Sequence, residues 1–169
     1  MPVIQSLLDN AAAYAKTFDK GGLPMHPSKK IAVVACMDAR LDVYGLLGLD
    51  IGEAHVLTNA GGAITEDVIR SLAVSQYRLG TEEIIVIYHT NCGMRTFTDE
   101  EFKDEMEAET GTRPDWAKEV FVTPEEDVRE SLRKLAADPF LKHRDNIRGF
   151  VYDVHKGTLT EVTETSQVA

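Results

Sequence analysis

Cysteine occurs twice in these 169 residues, and each time next to other side chains that bind metals. Cys36-Met-Asp38-Ala-Arg40 follows the apolar run Ile31-Ala-Val-Val-Ala35, and His89-Thr-Asn-Cys92 follows Glu83-Ile-Ile-Val-Ile-Tyr88. Two thiolates and an imidazole make a donor set suited to zinc, which is held in a tetrahedron whose fourth position stays open in catalytic sites and is filled in structural ones. Cys36, His89 and Cys92 are therefore the candidate ligands of one zinc ion. Asp38 offers a hard oxygen for the fourth position. Arg40 competes for it, because a guanidinium grips a carboxylate with two parallel hydrogen bonds. Sequence spacing leaves both arrangements open: Asp38 on the metal closes the site, and Asp38 on Arg40 leaves a position for water.

Each signal alone has an ordinary explanation. Cysteine is often simply buried, and an exposed Asp–Arg pair contributes only ~0–1 kcal/mol. The joint placement is what carries weight, since every cysteine of the chain falls at the carboxyl end of an apolar run. The other histidines read as structural: His26 in a proline-bracketed loop, His55 in a short strand, His143 in a Lys-His-Arg turn and His155 at a strand end. Gly61 and Gly62 after Asn59 suggest a close backbone approach or a positive φ. They form neither a Walker loop nor a dinucleotide fingerprint.

The elements that must position these groups alternate. Helices are expected over Ile4–Phe18, Leu41–Leu47, Thr65–Leu79, Asp99–Thr110 and Pro124–Ala137. Thr65 is a candidate cap, Gly80 and Gly111 are stops, and Pro124 sits in a first turn. Strands are expected over Ile31–Ala35, Ala54–Leu57, Glu83–Tyr88 and Ile147–Val154, with Leu159–Val162 returning as an edge strand after a turn at Lys156-Gly157. Arg113–Trp116 reads as a turn or short helix, and the tail from Thr163 to Ala169 as loose. Branched apolar runs separated by helices imply βαβ units, hence an α/β fold with a mostly parallel central sheet flanked by helices. With no repeat or linker visible, one domain over 1–169 is expected. In such sheets ligands bind beyond the carboxyl ends of the strands where strand order switches. Convergence of the three donors requires the strands after which they fall to be neighbours.

The formal net charge is −10, with 43% hydrophobic residues. That charge argues against nucleic acid and anionic membranes as partners, since both need basic patches. Much of the acidity lies in Asp99–Glu109, read as a solvated helix face. No apolar stretch approaches the ~20 residues of a membrane span, and the N-terminus lacks the charge and apolar pattern of a secretory signal. Cytoplasmic localisation is therefore expected. There thiols stay reduced, so cysteines serve metals or catalysis more often than disulfides.

The combination Ala35-Cys-Met-Asp-Ala-Arg40, Asn59-Ala-Gly61, Asp67-Val-Ile-Arg70-Ser71-Leu and His89-Thr-Asn-Cys92-Gly93 resembles the β-class carbonic anhydrases, in their compact bacterial and archaeal branch, from about Lys30 to Val154. The resemblance implies zinc ligands Cys36, His89 and Cys92. It implies Asp38 and Arg40 as a catalytic pair, with Asp38 able to swing onto zinc in a closed state. The implied reaction is reversible hydration of CO2 to bicarbonate by hydroxide on zinc. Carbonyl sulfide hydrolysis, giving CO2 and hydrogen sulfide, is the alternative on the same scaffold. A non-catalytic zinc-binding or redox-sensing module is a further one. The resemblance also implies a homodimer or homotetramer, with residues 1–29, the N-terminal helix and loop, packed on a partner subunit.

Overall fold

The computed structural model describes residues 2–117 and 123–163, so the tail over 164–169 lies outside the described residues. Five strands form one sheet in the order β2-β1-β3-β4-β5: β1 (Ile31–Cys36), β2 (Ala54–Asn59), β3 (Glu83–His89), β4 (Ile147–Asp153) and β5 (Thr158–Val162). The first four pair in parallel, and β5 returns antiparallel along β4 after the Lys156-Gly157 turn. The expected neighbours, β1 and β3, are paired from Ile31↔Glu83 to Ala35↔Ile87. The chain runs from β1 to β2 on one side and then crosses to β3 on the other. The switch in strand order thus lies between β1 and β3, where α/β sheets open a crevice.

Strand alternation sorts the core into two layers. Ala32, Val34, Ile84, Val86 and Tyr88 face Val68, Ile69 and Leu72 of α3 (Glu66–Leu79) and Val128 and Leu135 of α5 (Pro124–Ala137). Val33, Ala35 and Ile87 face the other way, with Leu41 and Val43, and this second layer contains both cysteines. α2 (Val43–Leu47) supplies part of its cover. Each fully buried aliphatic side chain contributes ~1.5–3 kcal/mol.

Boundaries differ from the sequence reading in ways that hydrogen bonding explains. β1, β2 and β3 run on to Cys36, Asn59 and His89, because ladder pairing continues through Cys36↔Asn59 and His89↔Tyr152. Cys36 and His89 are thus the last residues of their strands rather than the first loop residues. α2 begins at Val43, not Leu41, since the Asp42 carboxylate accepts from the Gly45 amide and caps the helix there. α1 (Val3–Ala15) stops short of Phe18, with its last turn closed by Lys16 and Thr17 amides on Ala13 and Tyr14. Arg113–Trp116 is an irregular turn without helix. α4 (Asp99–Thr110) buries no residue, as its acidity suggested, and Thr98 and Glu101 close a reciprocal cap at its start. Among the described residues no helix is long and apolar enough to cross a membrane.

Gly149 lets α5 lie close on β4: a Cβ there would overlap Val128 Cγ1 and sit 3.2 Å from Leu132 Cδ1. Overpacking of this kind costs about 1–3 kcal/mol. Gly149→Ala is therefore expected to lower the unfolding free energy measured by urea titration by that amount, whereas Gly111→Ala, where a Cβ meets open space but φ is positive, reports the backbone cost alone.

Candidate metal centre

Cys36 and His89 close adjacent parallel strands, and Cys92 follows His89 by one tight turn into the short 3-10 segment Gly93–Arg95. Their donor atoms all lie within 4.8 Å of one another, and the two sulfurs are 4.0 Å apart. That separation leaves both cysteines as free thiols, far from the ~2.05 Å of a disulfide. The three residues are buried, His89 to 1% exposure. The sequence-predicted ligand set is therefore brought together.

The donors are prepared by their surroundings. His89 Nδ1 lies 2.9 Å from the Thr90 carbonyl, which can only accept, so Nδ1 carries the proton and Nε2 presents a lone pair. Nε2 is buried and has no hydrogen-bond partner. A buried orphan acceptor is costly, and one grouped with two thiols forms a donor set that a borderline-soft divalent cation would satisfy. Backbone amides of Asp38 and Gly61 reach the Cys36 sulfur, and that of Met94 reaches Cys92. The two thiols share a proton. A hydrogen bond from Cys36 pulls Cys92 well below the ordinary thiol range, while that same bond and burial push Cys36 up. Burial is the largest influence on His89 and opposes its charging, but Cys92, the Thr90 carbonyl and Asp38 together outweigh it and the net shift is upward. The donor chemistry thus fits zinc.

Of the two partners open to Asp38, the one it contacts in this structure is Arg40. Arg40 Nε donates to Asp38 Oδ1 at 2.8 Å and Nη2 to Oδ2 at 2.7 Å, and the Arg40 backbone amide adds a third bond of 2.9 Å to Oδ1. Asp38 therefore rests on Arg40. These bonds, Arg40's side chain foremost, hold its carboxyl far below the usual carboxylate range. Oδ2 remains 3.7 Å from His89 Nε2, on the donor side of the pair.

Several contributors are not legible as motifs. Gly62 has φ +71°, and a Cβ there would sit 2.8 Å from the Cys36 amide nitrogen and 3.3 Å from the Ile87 carbonyl. Gly62, the second of the two glycines flagged in the sequence, thus lies against the ends of both donor-bearing strands. Arg95 pairs with the buried Asp127 of α5 and ties the Cys92 turn to the helix layer. Arg95 three residues past Cys92 gave no sequence signal, because its partner is 32 positions away. The remaining histidines stay outside the centre. His55 Nδ1 bonds Ser75 Oγ at 2.7 Å, the His143 carbonyl accepts from Gln76, and His26 lies near Gly80 at the opposite end of the sheet. Beside the donor loops an apolar recess of about 340 Å³ is lined by Met37, Asn59, Met94, Phe97, Phe102 and Trp116.

Comparison with known proteins agrees with this geometry. The family model described as carbonic anhydrase matches residues 31–159. The chain is 56% identical over 163 residues to β-carbonic anhydrase 1 of Mycobacterium tuberculosis, covering 96% of this chain and 99% of that one. It is 33% identical over 159 residues to a carbon disulfide hydrolase of Acidithiobacillus thiooxidans, covering 82% and 78% of the two chains. The crystal structure of carbonic anhydrase from Streptococcus mutans superposes with a TM-score of 0.90 at 40% identity, over 96% of this chain and 99% of the other. A match that takes in both donor-bearing strands and nearly the full length of such relatives places this chain in the β-carbonic anhydrase family.

Proposed function

We propose that this protein is a zinc-dependent enzyme that interconverts CO2 and bicarbonate, with Cys36, His89 and Cys92 as metal ligands and Asp38 and Arg40 as the catalytic pair. What carries the reading is the buried, unpartnered Nε2 of His89 facing two thiols, with a carboxylate held at 3.7 Å by an arginine. When bound, the metal supplies Lewis-acid chemistry that makes a nucleophile of water near neutral pH. Asp38, kept ionised by Arg40, would accept a hydrogen bond from a water or hydroxide beside the three donors and so orient its lone pair towards a substrate carbon. Arg40 fixes the carboxylate's orientation, so little reorganisation is needed during reaction. The recess lined by Met37, Met94, Phe97 and Phe102 suits a small apolar molecule and disfavours bulk water.

The carbon disulfide hydrolase likeness supports a second reading, in which carbonyl sulfide or carbon disulfide is hydrolysed on the same residues. Both free thiols support placement in the reducing cytoplasm, where a dithiolate site persists. We also place residues 1–29 against a second copy of the chain, in a homodimer or homotetramer. α1 buries none of its own residues, and it exposes Val3, Ile4, Leu7 and Leu8 along one side. On the second core layer Val56, Ile85, Tyr152 and Leu159 remain only partly buried. Two uncovered apolar faces on one chain are the composition of an isologous contact.

One preparation assayed with CO2, carbonyl sulfide and carbon disulfide tests the activity. Fast CO2 hydration with slow sulfide release is expected, and the reverse order would assign the second reading. Cys92→Ser is expected to lose zinc on elemental analysis, and unchanged metal content would remove Cys92 from the ligand set. Arg40→Ala is expected to keep zinc but lose activity by about 10²-fold or more, as for removal of a preorganised electrostatic partner. Leu7→Glu with Leu8→Glu is expected to lower the mass measured by light scattering to that of a smaller assembly; an unchanged mass would take α1 out of the contact.

A further inference from the structure

Two non-glycine residues in the described chain have positive φ, Lys30 at +52° and Asn91 at +51°. Lys30 precedes β1 at the far end of the sheet, whereas Asn91 lies between His89 and Cys92. The left-handed region costs an ordinary L-residue of this kind, and asparagine is among the few that enter it readily. Asn91 is exposed, and its side chain makes no hydrogen bond among the described residues. Its backbone is what engages the site: the Asn91 carbonyl accepts from Arg40 Nη2 at 2.9 Å. The same Nη2 donates to Asp38 Oδ2 at 2.7 Å. Arg40 is thus pinned from both sides, by the carboxylate two residues before it and by a carbonyl on the other donor loop, 51 positions away.

We infer that Asn91 is a positioning residue, whose left-handed backbone aims its carbonyl at Arg40 and thereby keeps Asp38 on Arg40 and away from the Cys36, His89 and Cys92 donors. The inference deepens the proposed role of the Asp38–Arg40 pair and rests on it. Without the carbonyl, Arg40 loses the one partner that fixes its head against the second loop. Asp38 Oδ2 already lies 3.7 Å from His89 Nε2, so a released pair lets the carboxylate settle among the donors and close the fourth position. The residue type at 91 then matters for its backbone and not for its amide. Glycine, which enters the left-handed region freely, should serve as well, and a β-branched residue should not.

The test compares Asn91→Gly, Asn91→Ala and Asn91→Val with the unaltered protein and with Arg40→Ala. Two readouts are taken: kcat/KM for CO2 on the zinc enzyme, and the change in visible absorption when thiocyanate is added to the cobalt(II)-substituted enzyme. Thiocyanate reports whether the fourth position is open. Asn91→Gly is expected to match the unaltered protein in both. Asn91→Val is expected to lose about tenfold or more in kcat/KM and to need about tenfold more thiocyanate, in the direction of Arg40→Ala. Asn91→Ala should fall between, and it carries the test if the valine variant does not fold. A valine or alanine variant with full rate and an unshifted thiocyanate titration would overturn the inference. So would a glycine variant as impaired as valine, which would assign the role to the amide side chain. An Arg40→Ala enzyme that is fully active and binds thiocyanate normally would instead overturn the role of the pair itself.

Discussion

The in-register parallel pairing of β1 with β3 is the constraint on which the centre depends. Cys36 ends one strand and His89 the other, so the distance between the first and second donors is set by a sheet ladder rather than by loop conformation. Neighbouring strands lie ~4.8 Å apart, the same scale as the spread of the three donor atoms. Cys92 needs only a tight turn beyond His89 to join them. A shift of one residue in that register would slide Cys36 and His89 past each other by one strand rise, ~3.3 Å, comparable with the whole spread of the donor atoms. The ladder is secured by the most deeply buried part of the protein, including Val33, Val34, Val86 and Ile87. Burial of a strongly apolar pair of strands thus fixes the position of polar groups that contribute little to stability themselves.

On this frame a few close contacts hold the strand ends and their loops. Gly62 packs against the backbone of both Cys36 and Ile87, where any side chain would force the strands to yield. Arg40 spans the two loops, with Asp38 on one and the Asn91 carbonyl on the other. Arg95 anchors the Cys92 turn to Asp127 in the helix layer. The Thr90 carbonyl selects the histidine tautomer that leaves Nε2 unprotonated. These contacts share one physical character: each fixes orientation before any substrate arrives, by close packing at Gly62 and by hydrogen bonds at the others. Preorganisation of that kind is where electrostatic catalysis gains its advantage over water.

Membership in the β-carbonic anhydrase family accounts for the combination of a dithiolate–imidazole donor set with a carboxylate–guanidinium pair. Similarity extends both to a β-carbonic anhydrase and to a carbon disulfide hydrolase, so family membership and choice of substrate are separate matters. Beside the three donors lies the recess walled by Met37, Met94 and the aromatic series Phe97, Phe102 and Trp116, whose successive rings lie 5.1 and 5.9 Å apart. Under the proposed function, the shape and dryness of this space would set selectivity among small linear molecules.

Much of this was legible in the residues. The apolar runs, helix stops and turn glycines placed the elements to within a few positions, and the two cysteine motifs named the donors. Strand ends were read short because a ladder hydrogen bond depends on a partner strand, which local composition does not record. The sequence by itself determined which atoms are available: two sulfurs, one imidazole, one carboxylate and one guanidinium, at strand ends in an α/β chain. Only the tertiary structure decided what each atom faces. It placed β1 beside β3, turned Asp38 onto Arg40, orphaned His89 Nε2 and brought the Asn91 carbonyl to Arg40. All of these are contacts of geometry, and apart from the local Asp38–Arg40 pair they join or depend on residues far apart in the chain. A sequence read along its length carries the chemistry of the groups but not their distances.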